Sequence, residues 1–461
     1  MLLAFVLCAG LMITSCETAD PVGNDKDPDN SENTGDTGNT GSSGNNNSSS
    51  DIIVFASDIV KESCVEAFDT DGDGEVSYGE AAAVRDLSNV KLRFLDESIK
   101  TKEITFDEFQ YFTNVISIPD KFFMGCKHLK SIMLPKSLKA IGEFAFAHCD
   151  GLTTIEFPDE LRTIGEWAFY QCYGLTGIDL TVGLKTIENR AFSECTGLTI
   201  VDFPEGLETI GDRAFYGCSG LTEIYFSEGL ETIGNTAFAD CYYLTKVYFP
   251  EGLETIGNTA FDYCKSLTRV DFPKGLKTIG KSAFRKCEGL TTIDFPEGLE
   301  TIGKSAFYEC NSLKKIEFRK GLKTIEDKAF RTSDKSYGLT EIIFPEGLET
   351  IGAEAFYRFA GLTKVEFRKG LKTIGESAFS HCEGLTTIDF PEGLETIGEG
   401  AFHSCEGLTA IYCRPLSPPT VSNTSFPRYQ ETIYVPRESV KLYKNTSSWY
   451  YYSDNIVGYD F

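Results

Sequence analysis

Positive charge is in short supply. Lysine and arginine total 43 against 69 aspartates and glutamates, a formal net charge of −26. A surface of that sign repels a phosphate backbone, so nucleic acid is excluded as a partner. It favours solubility and cationic or calcium-bearing ligands without fixing any fold. Long apolar runs are missing too. The longest, residues 2–13, has twelve residues, whereas crossing a bilayer takes about 20. Histidine is rare, with 4 in the chain. His128, His148, His381 and His403 join no Ser/His/Asp or Cys/His set, so the chain is not expected to be an enzyme.

What fills the sequence instead is a repeated phrase, G-L-T-x-I-x-F-P-x-G-L-x-T-I-G-x-x-A-F-x-x-C, cleanest from Gly289 to Cys310. The phenylalanine of its A-F pair recurs from Phe123 to Phe402 in steps of 23, broken by a single step of 26 between Phe330 and Phe356. Such a period predicts a solenoid, because one unit cannot bury its apolar side alone and must stack on copies of itself. Leu290, Ile293 and Phe295 fit the leucine-rich pattern of a short strand with inward side chains. Pro296 ends that strand, Gly298 turns the chain, and Leu299, Thr301 and Ile302 form a second extended piece. Gly303 turns it again, and Ala306, Phe307 and Cys310 fit one loose helical turn. The expected fold is a right-handed, β-rich leucine-rich-repeat solenoid of 23-residue coils.

These residues resemble the BspA-type leucine-rich repeat family of bacterial surface proteins over about residues 115–450. The resemblance implies a cell-surface, ligand-binding scaffold. Family members are associated with adhesion to host matrix proteins such as fibronectin and fibrinogen. It also implies that residues 414–461, after the solenoid of 115–413, form a C-terminal cap. The expected partners are extracellular proteins or glycans, bound by a monomer.

Residues 2–13 have the length of a signal-peptide core, and Ile13-Thr14-Ser15-Cys16 is similar to a lipobox, so residues 1–16 read as a lipoprotein signal peptide. No lysine or arginine precedes the apolar run. The resemblance implies that Cys16 is the lipidated first residue of an outer-membrane lipoprotein exposed at the cell surface. The membrane is then met only through the lipid. Residues 17–51 are rich in Asn, Ser, Gly, Thr and Asp, too polar to offset their ordering entropy, and read as a flexible tether. Glu17 and Asp20 resemble the acidic export signals that follow some lipidated cysteines.

Residues 69–80 carry the sharpest chemical motif. A twelve-residue calcium loop supplies oxygens from positions 1, 3, 5, 7, 9 and 12. Here these are Asp69, Asp71, Asp73, the backbone carbonyl of Glu75, Ser77 and Glu80, with Gly74 at the sharp turn. Helices are expected over 59–68 and 78–87, so the segment resembles an EF-hand, and calcium is the expected ligand in a structural role. Residues 97–108 read either as a non-binding partner loop, with Ile104 aligned to Val76, or as a helix start capped by Thr105. Either way residues 52–114 should form a small helical cap over the first coil.

Fifteen cysteines suggest disulfides, but eleven lie three residues after the repeating phenylalanine. Neighbours in such a column stand about 4.8 Å apart, outside the roughly 3.5–4.5 Å between the Cβ atoms of a disulfide. They read as small buried apolar residues. Ser333 and Phe359 share the slot, and a straight row cannot make a tetrahedral metal site.

Outward residues of the first strand form the candidate binding face. Stacked carboxylates such as Asp179, Asp202, Asp271 and Asp294 repel one another, so neighbouring Lys or Arg, bound cations or a basic ligand should offset them. Tyr225 and Tyr248, adjacent and beside Lys246 and Arg269, are the expected ligand contact, since interfaces enrich aromatic and arginine anchors. Tyrosines in a row also suit sugar stacking. On the second strand, Lys277, Glu300, Lys323, Glu349 and Lys372 alternate in sign and predict ion pairs between coils. The extra residues of 331–338 are expected to bulge outward.

Overall fold

The computed structural model describes residues 49–95, 103–427 and 431–461. The signal segment with Cys16, nearly all of the 17–51 tether and part of 97–108 lie outside them. Residues Asn47–Phe461 form one compact unit.

Each coil has two short parallel strands. Threonine and isoleucine, β-branched, suit both. Thr301–Ile302 and its equivalents join into a 10-stranded sheet running from Thr186–Ile187 to Thr396–Ile397. Register is one repeat per step: Thr278 faces Thr301, which faces Thr324. On the other side Thr292–Asp294 pairs with Arg269–Asp271 and Lys315–Glu317. Ile293 is buried between half-exposed neighbours.

Inside, the repeating phenylalanines pile into a ladder. Phe261 and Phe284 have centroids 5.2 Å apart and planes at 6°, and Phe284 and Phe307 follow at 5.3 Å and 2°. A second column, Phe272 and Phe295 among it, meets the first edge-on, with Phe295 to Phe307 at 5.6 Å and 78°. Both sets are arrangements that the aromatic quadrupole favours.

The third side of the coil departs from expectation. There is no helical turn at Ala306, Phe307 and Cys310. Ser305 and Glu309 take left-handed backbone conformations, with φ of 56° and 59°. The amides of Ser305, Phe307 and Glu309 donate to the carbonyls of Asp327, Ala329 and Arg331 in the next coil at 2.9, 2.7 and 2.8 Å. An α-helical turn would have spent these amides within the coil and left the stack unbonded on this side. The left-handed residues cost about 1–2 kcal/mol each, and bonds between coils repeated along the solenoid hold them there.

The column cysteines are buried and free of disulfides, as the spacing requires. They are more than small apolar residues. Cys310 Sγ donates to the carbonyl of Phe284 at 3.2 Å and Cys287 Sγ to that of Phe261 at 3.3 Å, a contact that most of the column repeats. Burial pushes the Cys405 thiol up to about 12, which keeps it protonated.

The ion pairs between coils are present. Lys277, Lys323 and Lys372 each reach back to the preceding coil, to Glu254, Glu300 and Glu349 at 2.5, 3.0 and 2.8 Å. All are exposed and worth at most about 1 kcal/mol. Residues 331–338 do more than bulge. Thr332 and Ser336 are buried, and Lys335 reaches Glu383 at 2.6 Å.

Helix α1 (Asp58–Phe68) has the expected extent, but α2 (Tyr78–Ala83) stops early because Val84 is already extended, and Leu87 enters the core. Neither reading of residues 97–108 holds for its described part. Ile104–Phe106 is a strand paired in parallel with Leu129–Met133 of the first coil. The partner of Val76 is instead Ile53, whose amide donates to its carbonyl at 2.9 Å. Thr105 caps no helix, since a single 3-10 segment, Asp107–Tyr111, begins after Phe106 without a side-chain cap. Phe109 packs against Phe123 at 5.9 Å. At the other end strand Thr432–Pro436 is followed by helix α3 (Val440–Asn445) and by a parallel strand, Ile456–Tyr459.

Candidate functional site

The pleat sends alternate residues of the first strand outward. Parallel register then carries Tyr225 onto Tyr248, Tyr248 onto Asp271 and Asp271 onto Asp294. All of the sequence-predicted contact residues therefore share one face. The two tyrosine rings stack at 4.4 Å with planes at 7°, while remaining 57% and 43% exposed.

The charged neighbours are mutually satisfied. Glu223 is the hub. It accepts from the Tyr225 hydroxyl at 2.5 Å and from Lys246 Nζ at 3.0 Å. These bonds, the tyrosine first, hold the Glu223 carboxyl below its usual range. The same carboxylate raises the Tyr225 hydroxyl and Lys246. Arg269 pairs within its own strand, with Asp271 at 2.7 Å.

Further along the column each carboxylate also has its cation. Arg319 grips Asp294 with two bonds of 2.9 Å and meets Glu317 at 2.5 Å. Arg368 holds Glu366 at 2.6 Å, and Arg414 holds Asp389 at 2.6 Å. Arg319 was missed, although the sequence carried a signal: arginine stands there and at 368 and 414 where other coils have Pro after the aromatic.

In the 69–80 loop, carboxylate oxygens of Asp69, Asp71 and Asp73 come within 4.8 Å of one another. Gly72 and Gly74 take positive φ, 78° and 86°, and aim their amides at Asp69 at 2.6 and 2.9 Å. The Glu75 side chain turns away to Lys61 at 2.6 Å, which leaves only its carbonyl for the loop. Ser77 and Glu80 cap α2 reciprocally. Amides of Ser77 and Thr70 hold the Glu80 carboxyl down at about 2. The three aspartates thus converge, while Glu80 closes the loop on its backbone amides. The donor set is all oxygen and anionic, which suits a hard divalent cation.

The architecture is that of a leucine-rich repeat solenoid. The profile of the BspA type leucine rich repeat region matches six copies over residues 116–244, 231–337 and 334–446, and the chain belongs to that family. A leucine-rich repeat protein from Bacteroides ovatus is similar over 78% of this chain and 84% of its own, at 27% identity and a TM-score of 0.58. A leucine rich cell surface protein from Faecalibacterium prausnitzii is 22% identical over 74% of this chain and 85% of its own, with a TM-score of 0.33. The pneumococcal vaccine antigen PcpA is 21% identical over 79% of this chain and 82% of its own, with a TM-score of 0.38. No curated protein matches. Leucine-rich repeat proteins generally serve as scaffolds that bind other proteins.

Proposed function

We propose that the chain is a surface lipoprotein, anchored through Cys16 and held off the membrane by residues 17–51, that binds an extracellular protein on its first-strand face. The observation that carries this reading is the exposed stack of Tyr225 and Tyr248. Aromatic side chains left in water on a rigid sheet are what protein interfaces use as anchors. Adhesion to a host matrix protein fits that face. A glycan is the second reading, and the same tyrosines would serve it, but each ring already gives one face to the other. A panel of matrix proteins run beside a glycan array separates the two. The paired substitution Tyr225→Ala/Tyr248→Ala is expected to weaken capture of the partner about thirtyfold, the effect of losing about 2 kcal/mol at an interface hot spot. Unchanged affinity rules the patch out.

The reading includes calcium in the 69–80 loop as a stabiliser of an N-terminal cap. Asp69, Asp71 and Asp73 would hold it, with the Glu75 carbonyl, Ser77 and Glu80 completing the set. A chelator is expected to lower the melting temperature, because a cation at a hundredfold excess over its Kd adds about 2.7 kcal/mol. Asp73→Ala should remove that response. A melting curve indifferent to calcium in the unsubstituted chain means that the loop holds none.

A further inference from the structure

The two sheets of the solenoid end differently. Past Thr396–Ile397, the last strand of the 10-stranded sheet, the chain makes one bridge, from Thr396 to Thr420. Pro418 and Pro419 stand directly before it, and proline has no amide to offer a further strand, so that edge is blunted. The first-strand sheet ends instead on Ile456–Tyr459, paired in parallel with Thr432–Pro436 and with no described strand beyond it. Residues 457–459 make no other backbone hydrogen bond among the described residues. A Cβ on Gly458 would meet Val440 Cγ2 at 3.1 Å and Arg437 Cα at 3.3 Å. The segment after Pro436 therefore lies under the strand and not beside it, and the backbone edge stays open. It carries no lysine, proline or bulge of the kind that protects an edge.

A second observation is independent of the backbone. Val457, Tyr459 and Phe461 are exposed, as is Leu442 of α3. The 3-10 segment leading into the strand, Ser447–Asn455, exposes Tyr450 and Tyr451 at 70% and 69%. Apolar surface gathered in this way marks an interface. Charge falls away at the same place. Arg437, Lys441 and Lys444 balance Glu438, Asp454 and Asp460 over residues 437–461, in a chain of net charge −26. Elsewhere two copies repel each other; here they can touch.

We propose that this edge pairs with the same edge of a second copy of the chain. One edge can meet its own copy only antiparallel, across a two-fold axis, which closes the assembly at a dimer. Centred on Gly458, the pairing sets Val457 of each copy opposite Tyr459 of the other, an aliphatic–aromatic cross-strand pair that sheets favour. Tyr412 and Tyr434 already stack at 4.8 Å, and Val457 follows Tyr434 in register. Tyr459 of the second copy continues that column. Joined end to end, the two acidic bodies stay as far apart as contact allows. The axis stands perpendicular to the sheet, so both first-strand faces turn the same way and both Tyr225–Tyr248 stacks can meet one surface, where two weak contacts act as one stronger contact. That gain rests on the proposed use of the face; the dimer does not.

Sedimentation equilibrium on the intact chain should show a dimer that tightens as salt is raised, because salt screens the repulsion between the two bodies. Val457→Lys/Tyr459→Lys is expected to weaken it about thirtyfold or more, since like charges then face each other across the pair, although the variant lowers the net charge of each copy. Val457→Glu/Tyr459→Glu should be monomeric as well. Mixing the two variants should restore a dimer with one copy of each, so loss of pairing is not mistaken for unfolding. Tyr225→Ala/Tyr248→Ala should leave the dimer intact. The proposal is overturned by a chain that stays monomeric at tens of micromolar, by a dimer that survives the lysine pair, by lysine and glutamate variants that do not combine, or by oligomers that grow past two. A dimer lost with Tyr225 and Tyr248 overturns it too, and moves the self-contact to the first-strand face. If the dimer behaves as expected while partner capture ignores Tyr225 and Tyr248, the edge is right and the proposed use of the face is wrong.

Discussion

Phe284→Ala is expected to destabilise the protein by about 3–5 kcal/mol, the usual range for emptying a buried phenylalanine site. The ring is fully buried between Phe261 at 5.2 Å and Phe307 at 5.3 Å, with Phe272 edge-on at 5.5 Å. Removing it takes contacts from three rings at once and leaves a gap that coils locked in register on three sides cannot close. The loss also has a location. A solenoid's stability is a sum of unit and nearest-neighbour terms, so the coils on either side of Phe284 should open before the ends do. Hydrogen exchange should show protection falling first in residues 255–310, with the denaturation midpoint shifted in parallel. A change under about 1 kcal/mol would mean that the ladder relaxes around the gap.

Trp449→Ala should cost a similar amount, about 3–5 kcal/mol, with a different outcome. Trp449 is fully buried, packs against Tyr443 at 4.9 Å and donates from Nε1 to the carbonyl of Pro419 at 2.8 Å. The substitution both empties the site and leaves that carbonyl without its donor. Because this segment closes the last coil, the chain should fray from residue 414 onward and expose the strand edge beneath, a template for aggregation. Limited proteolysis should cut first within 414–461, and light scattering should rise on mild heating. Cleavage that begins in the middle of the solenoid would contradict the capping role.

The two strand columns, the phenylalanine ladder and the cysteine column were legible because each repeats with a fixed side-chain type, and stacking turns such a column into a packing statement. The third side was not. Sequence rules tie positive φ to glycine, yet Ser305, Glu309, Arg190 and Trp167 all adopt it, held by hydrogen bonds to coils 23 residues away that no local pattern reveals. At the candidate face, spacing placed Tyr225, Tyr248, Asp271 and Asp294 together. It missed Arg319, whose partner Asp294 lies 25 residues earlier, off the repeat's own register. The convergence of Asp69, Asp71 and Asp73 was readable through their spacing. The pairing of Ile104–Phe106 was not, because a three-residue strand carries too little pattern to name its neighbour.

The thiols buried along the stack have one more consequence. Each is buried, and most of the column bonds a carbonyl of the coil before it, so neither an oxidant nor glutathione in solution finds a sulfur to attack. No disulfide joins the described residues, so folding of the solenoid needs no oxidoreductase and its stability is indifferent to the redox poise around it.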